Sequence, residues 1–141
     1  MSIQLNPFIL LDGTAEEAIA FYQESLGAKL QFKQTVGQGP QNPDSPLSDE
    51  EKARIAHSVL SVGDTDIFVA DLDIGQVLQT GNGINICLST EDAGEAERLY
   101  NTLKEGGQVD LELGPVYFSP AYGMITDKFG VTFQILTKRP R

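Results

Sequence analysis

One stretch of this chain is written twice. Ala15-Glu16-Glu17-Ala18-Ile19-Ala20-Phe21-Tyr22 is matched 78 residues later by Ala93-Gly94-Glu95-Ala96-Glu97-Arg98-Leu99-Tyr100. Both copies have helical periodicity. Ala15, Ala18, Ile19, Tyr22 and Leu26 fall on one stripe, as do Ala96, Leu99, Tyr100 and Leu103. The spacing predicts that Thr14 and Glu17 form a capping box on the first helix and that Gly27 stops it. Ser89 with Asp92 caps the second, which Gly106-Gly107 ends.

The surroundings of the two helices repeat as well. A strand-like run precedes each, Leu5 to Leu11 and Ile84 to Ser89. Three more follow each: Ala28 to Val36, Arg54 to Val62 and Thr65 to Asp71 in the first half, then Gln108 to Leu113, Tyr122 to Thr126 and Val131 to Thr137 in the second. Tight turns at Gly63-Asp64 and Asp127-Lys128-Phe129-Gly130 join the last pairs. The chain therefore reads as α+β, with two βαβββ modules in a pseudo-two-fold arrangement and mixed, mostly antiparallel curved sheets forming a cleft. Its length is that of one domain, 1–141, with module 1 at 1–80 and module 2 at 81–141. Gly37 to Pro46 breaks the pattern with three of the seven prolines and reads as a long loop. After it, Ser48-Asp49-Glu50-Glu51 starts a helical turn.

Charge and cysteine content narrow the function classes. Ten basic against twenty acidic residues give a net charge of −10, a field that repels nucleic acid and anionic membrane and favours a neutral or cationic small molecule. The single cysteine, Cys87, suits a reducing, cytoplasmic setting, and no Cys/His cluster offers a structural zinc site. Leu5 to Leu11 is too short for a spanning segment. Gly37-Gln38-Gly39 lacks the third glycine and the helix of a dinucleotide fingerprint, so no cofactor is expected. Lys138-Arg139-Pro140-Arg141 reads as a solvated tail.

Strand alternation places Asn85, Cys87 and Ser89 opposite Ile84, Ile86 and Leu88, and Thr132, Gln134 and Leu136 opposite Val131, Phe133 and Ile135. Such half-polar faces either line a small-molecule hollow or meet water, and the pattern weighs the two evenly.

Asp12-Gly13-Thr14-Ala15-Glu16-Glu17-Ala18 with Phe21-Tyr22 and Leu26-Gly27-Ala28 resembles the first helix of the vicinal oxygen chelate superfamily, which includes glyoxalase I, bleomycin-resistance proteins and extradiol dioxygenases. The closing run from Tyr122 to Ile135 resembles the last hairpin of its PhnB-like branch. The resemblance implies a homodimer and, in the enzymes, a divalent metal on four side chains from the first and last strands of each module. Those positions fall on Pro7, Val69, Asn85 and Gln134. Two have no donor atom and two offer only neutral amides, so the metal site is expected to be lost, and metal-dependent lyase, isomerase and oxygenase chemistry with it.

The expected ligand cavity comprises Ile9, Leu11, His57, Val59, Ile67, Val69, Asn85, Cys87, Tyr122, Met124 and Gln134. His57 and Asp71 are the candidate catalytic or relocated metal-binding residues. Each has a plainer reading, His57 as a hydrogen-bonded structural histidine and Asp71 as a turn former. Cys87 reads as a small buried hydrophobe, and Tyr122 and Met124 either stack on a flat ligand or pack in the core. A metal-free binding protein is the leading expectation. An enzyme with a relocated or absent metal is the alternative, and a dimeric scaffold with a vestigial cleft is a weaker third.

Overall fold

Helix, strand and turn signals are realised in a computed structural model that describes residues 2–139. Contacts divide the chain into two compact units, Met1–Gln79 and Thr80–Arg141. The first runs β1 (Phe8–Leu11), α1 (Ala15–Ser25), β2 (Lys29–Thr35), a short α2 (Asp49–Ala53), β3 (Ile55–Val62) and β4 (Thr65–Asp71). The second runs β5 (Ile86–Thr90), α3 (Ala93–Leu103), β6 (Gln108–Val116), β7 (Ser119–Thr126) and β8 (Thr132–Thr137). Each unit holds one mixed four-stranded sheet, in the order β1-β4-β3-β2 and β5-β8-β7-β6. In both, the first strand pairs parallel to the last and the remaining pairings are antiparallel. The fold is α+β, built of two βαβββ modules. Pro140 and Arg141 of the basic tail lie outside the described residues.

In each unit the helix covers one face of its sheet. Against α1, Ile9, Leu11, Ile55, Leu60, Ile67 and Val69 are buried with Ala18, Ile19 and Tyr22. Against α3, Ala121, Ile125, Phe133 and Ile135 are buried with Ala96, Leu99 and Leu103. Removing a Leu, Ile or Phe side chain of this kind from water contributes about 1.5–3 kcal/mol, so these faces hold each unit together. In unit 2 a side chain at Gly123 would put its Cβ 3.0 Å from the Leu113 Cα, a close backbone approach that only glycine permits.

Three expectations change. The first strand begins at Phe8, not Leu5, because Pro7 has no N–H for the ladder and the Asn6 amide turns aside to the Asp66 carbonyl at 2.8 Å. Thr14 makes no side-chain cap. The start of α1 is held instead by Asp71, whose Oδ1 accepts from Gly13 N at 2.7 Å and Ala15 N at 3.1 Å and whose Oδ2 accepts from Ile55 N at 2.8 Å. On α3 Asp92 is itself the N-cap, accepting from Gly94 N at 3.0 Å, and Ser89 stays within β5. The expected capping box at Ser48 and Glu51 does form, with Ser48 Oγ accepting from Glu51 N at 3.0 Å and Glu51 Oε1 from Ser48 N at 2.9 Å.

Candidate functional site

The sheet faces turned away from the helices carry the chemically informative residues. In unit 1, β3 and β4 are registered with Val59 opposite Phe68, and β1 places Phe8 beside Phe68. His57 is the hub of this face. Its ring lies 5.3 Å from Phe68, 5.9 Å from Phe8 and 6.2 Å from Phe32, centroid to centroid. Phe8 and Phe32 remain about half exposed, at 51% and 47%. Among the described residues neither ring nitrogen of His57 has a hydrogen-bond partner, so it is not the bonded structural histidine expected from sequence. It is a polar edge set in an aromatic surface.

The matching face of unit 2 is built from amides and a phenol. Tyr122 Oη donates to Gln134 Oε1 at 2.6 Å, Gln134 Nε2 donates to Asn85 Oδ1 at 3.0 Å, and Asn85 Nδ2 donates to the Asn82 carbonyl at 3.3 Å. The chain of donors fixes the direction of both amides. Met124 pairs with Gln134 across β7 and β8, Cys87 lies opposite Gln134 on β5, and Phe118 packs edge-on to the Tyr122 ring at 4.9 Å. Cys87 is exposed rather than buried, with its Sγ 4.0 Å from Ser89 Oγ.

Other expected cavity residues are elsewhere. Ile9, Leu11, Ile67 and Val69 face α1 and are at most 6% exposed, so they belong to the core of unit 1 and not to its open face. Two separate one-residue slips cause the discrepancy, for Leu72 and Lys138 beyond β4 and β8 are 66 apart where Val69 and Gln134 are 65 apart. The helices repeat at 78 residues, but Leu11 and Thr90, whose carbonyls accept from Leu72 N and Lys138 N at the ends of β4 and β8, are 79 apart. Module 1 has an extra residue between strand and helix, and Gly13 there adopts a φ of 88°. A one-residue slip exchanges the two faces of a strand. The counterpart of Gln134 is thus Phe68, not Val69, that of Cys87 is Phe8, and that of Asn85 is Asn6, not Pro7. The same alternation puts Asp71 on the helix side, opposite His57, where three backbone N–H groups occupy its carboxylate. The proposed His57–Asp71 pairing is therefore not formed. Of the Phe8, Phe32 and Phe68 cluster, absent from the expected cavity, Phe8 follows from the 79-residue offset of the first strands and Phe68 from the 66-residue offset of the last, while Phe32 is set by its pairing with Val59.

The donor set is a poor match for the divalent ion implied by the resemblance. Val69 is fully buried and carries only carbon, its structural replacement Phe68 likewise, and Asn85 and Gln134 turn facing atoms on one another. Among the described residues no three His, Cys, Asp or Glu side chains come together as a metal-binding group.

The fold agrees with the comparisons. The model of the glyoxalase/bleomycin resistance protein/dioxygenase superfamily matches residues 4–135, and the chain belongs to that superfamily. It is 28% identical over 139 residues to protein YjdN of Escherichia coli, covering 93% of this chain and 92% of that protein. The crystal structure of protein PA1353 from Pseudomonas aeruginosa superposes with a TM-score of 0.85 at 32% identity, covering 99% of this chain and 100% of that one. A PhnB protein from Bacillus cereus shares the fold, with a TM-score of 0.78 at 18% identity over 96% of this chain and 99% of that one.

Proposed function

We propose that this is a small-molecule-binding member of the superfamily that works without the usual catalytic metal and takes a neutral or cationic ligand. One observation carries the reading: at the positions where relatives are expected to hold an ion, Asn85 and Gln134 bond to each other and to Tyr122. Such a network orients an uncharged polar group, while the Phe8, Phe32 and Phe68 surface around His57 suits the flat apolar part of a ligand. The net charge of −10 disfavours anionic ligands, nucleic acid and anionic membranes. Among the described residues no helix is long and apolar enough to cross a membrane. The reading includes a cytoplasmic homodimer, and light scattering that returns a monomer removes the dimer from it.

Elemental analysis of protein purified without chelator, paired with calorimetry against flat aromatic and cationic compounds, tests the reading. Substoichiometric metal, and binding heat that survives chelation and falls at least tenfold in affinity on Gln134→Leu, is the expected result; tenfold corresponds to about 1.4 kcal/mol. Stoichiometric metal released by Asn85→Ala or Gln134→Ala, or no heat with any compound at millimolar concentration, overturns it. The unpartnered His57 favours a second reading, an enzyme in which His57 alone moves a proton, with Asn85 or Gln134 polarising a carbonyl. Turnover abolished by His57→Phe with binding retained distinguishes it from the first.

A further inference from the structure

Behind the open face of unit 2, on the helix-covered side of the same sheet, lies a groove of about 290 Å³. Glu97, Tyr100 and Asn101 of α3 form one wall, Leu113 and Gly114 of β6 and Ala121 of β7 the other. Its cause is local. The pairing of β6 with β7 slips between Val109 and Leu111, between Leu111 and Gly114, and between Gly114 and Val116, while α3 packs on β5, β7 and β8. The end of β6 is thereby left without a helix above it.

Three polar groups face this space unpaired. The Tyr100 ring is largely buried, while its hydroxyl, with no hydrogen-bond partner among the described residues, remains open to solvent. Tyr100 lines the groove, so a ligand seated there can take the place of the water that this hydroxyl otherwise meets. Glu97 forms no ion pair among the described residues, and one turn further on the Asn101 amide is also unengaged. The floor is apolar, and a Cβ placed on Gly114 would meet nothing within 4 Å, so a ring can lie flat on that backbone. The neighbouring cations are accounted for. Arg98 is paired with Glu95, and Lys104 Nζ sits over the Tyr100 ring, 4.7 Å from its centroid.

We propose that this groove is a second ligand site, on the opposite side of the sheet from the Tyr122–Gln134–Asn85 network, and that it takes a small ring-bearing primary amine. The ammonium is held by the Glu97 carboxylate and the Tyr100 hydroxyl oxygen, Asn101 supplies a further acceptor, and the ring rests on Leu113, Gly114 and Ala121.

Backbone amide spectra of the full chain, titrated with benzylamine, benzyl alcohol and benzoate, test it. Benzylamine is expected to give saturable shifts confined to residues 93–101, 113–114 and 121, benzyl alcohol to bind about tenfold more weakly, and benzoate to leave these amides unmoved, as loss of one charge-assisted contact requires. Glu97→Gln, an exposed change that leaves the fold intact, weakens benzylamine about tenfold. Tyr100→Phe removes only an unpaired hydroxyl and weakens it about threefold. Lys104→Gln leaves it unchanged or tighter. Equal binding of the amine and the alcohol, shifts that fall elsewhere, no shifts at millimolar concentration, or loss of binding through Lys104→Gln with Glu97→Gln neutral overturns the assignment.

Discussion

The two modules share a strand order and a helix but differ in how they close the junction between last strand and helix, and in what their open faces display. In module 1 a carboxylate ties the end of β4 to the start of α1 and to the start of β3. In module 2 the start of α3 is capped by its own Asp92, and hydroxyls tie the strand ends. Ser119 Oγ accepts from Thr137 N at 3.2 Å and lies 2.7 Å from the Thr137 carbonyl, while Thr90 and Thr137 meet at 3.1 Å. The open faces diverge in the same pairwise way, Phe8 against Cys87, Phe68 against Gln134 and His57 against Tyr122. Beneath the helices the two copies stay largely apolar and differ at the junction, where Asp71 of one corresponds to Thr137 of the other, while on the open faces each of these matched pairs differs in chemistry.

The charged tie is where the comparison breaks most strongly. Asp71→Asn sets an amide NH₂ against backbone N–H groups in a buried site and is expected to cost about 3 kcal/mol, read as a lower urea midpoint at unchanged slope. Ser119→Ala, its neutral counterpart, is expected to cost about 1.5 kcal/mol by the same measurement. Equal losses would remove the distinction between a charged and a neutral junction. On the open faces, Tyr122→Phe deletes the donor to Gln134 and is expected to cost about 1 kcal/mol, whereas His57→Phe breaks no hydrogen bond and is expected to stay within about 0.5 kcal/mol of the parent. A loss on His57→Phe as large as that on Tyr122→Phe would mean that the aromatic face of module 1 depends on its imidazole.

The smallest effect concerns pH. Hydrogen bonds from Thr126, then from Gln108, hold the Asp110 carboxyl below the usual carboxylate range. A group depressed on folding contributes stability that is in place at neutral pH and is lost as the pH falls through its folded value, so Asp110→Asn should lower the neutral plateau slightly, leave the acid end where it is and so flatten the limb between them. Asp110 is almost fully solvated, and the change is correspondingly slight.

Much of this is legible from local pattern. Period-two alternation puts His57 and Val59, and Tyr122, Met124 and Gln134, on one side of their strands. The Ser48–Glu51 box and the turn ending at Gly130 are likewise short-range features. What escapes is set by partners distant in sequence. Asp71 caps a helix whose first residue is 56 positions away, and nothing around Thr14 announces that its own box will go unused. The extra residue at Gly13 is invisible to a helix-based alignment, yet it exchanges the faces assigned to Ile9 and Phe8, and a separate one-residue shift between β4 and β8 exchanges those of Val69 and Phe68. The groove beside Tyr100 arises from slips in the β6–β7 pairing, which no period in the sequence encodes.

The stems of the proline-rich excursion have a practical consequence. Val36 N donates to the Arg54 carbonyl at 2.8 Å, and Ile55 is tethered by Asp71, so the chain leaves the first sheet and rejoins it at a single clamped doorway. Whatever lies beyond a doorway of this kind hangs outside the load path of the module, and its length is nearly decoupled from the register of β2 and β3. Peptide cargo spliced between Asn42 and Ser45 should therefore ride as a pendant, which makes this chain a ready display scaffold.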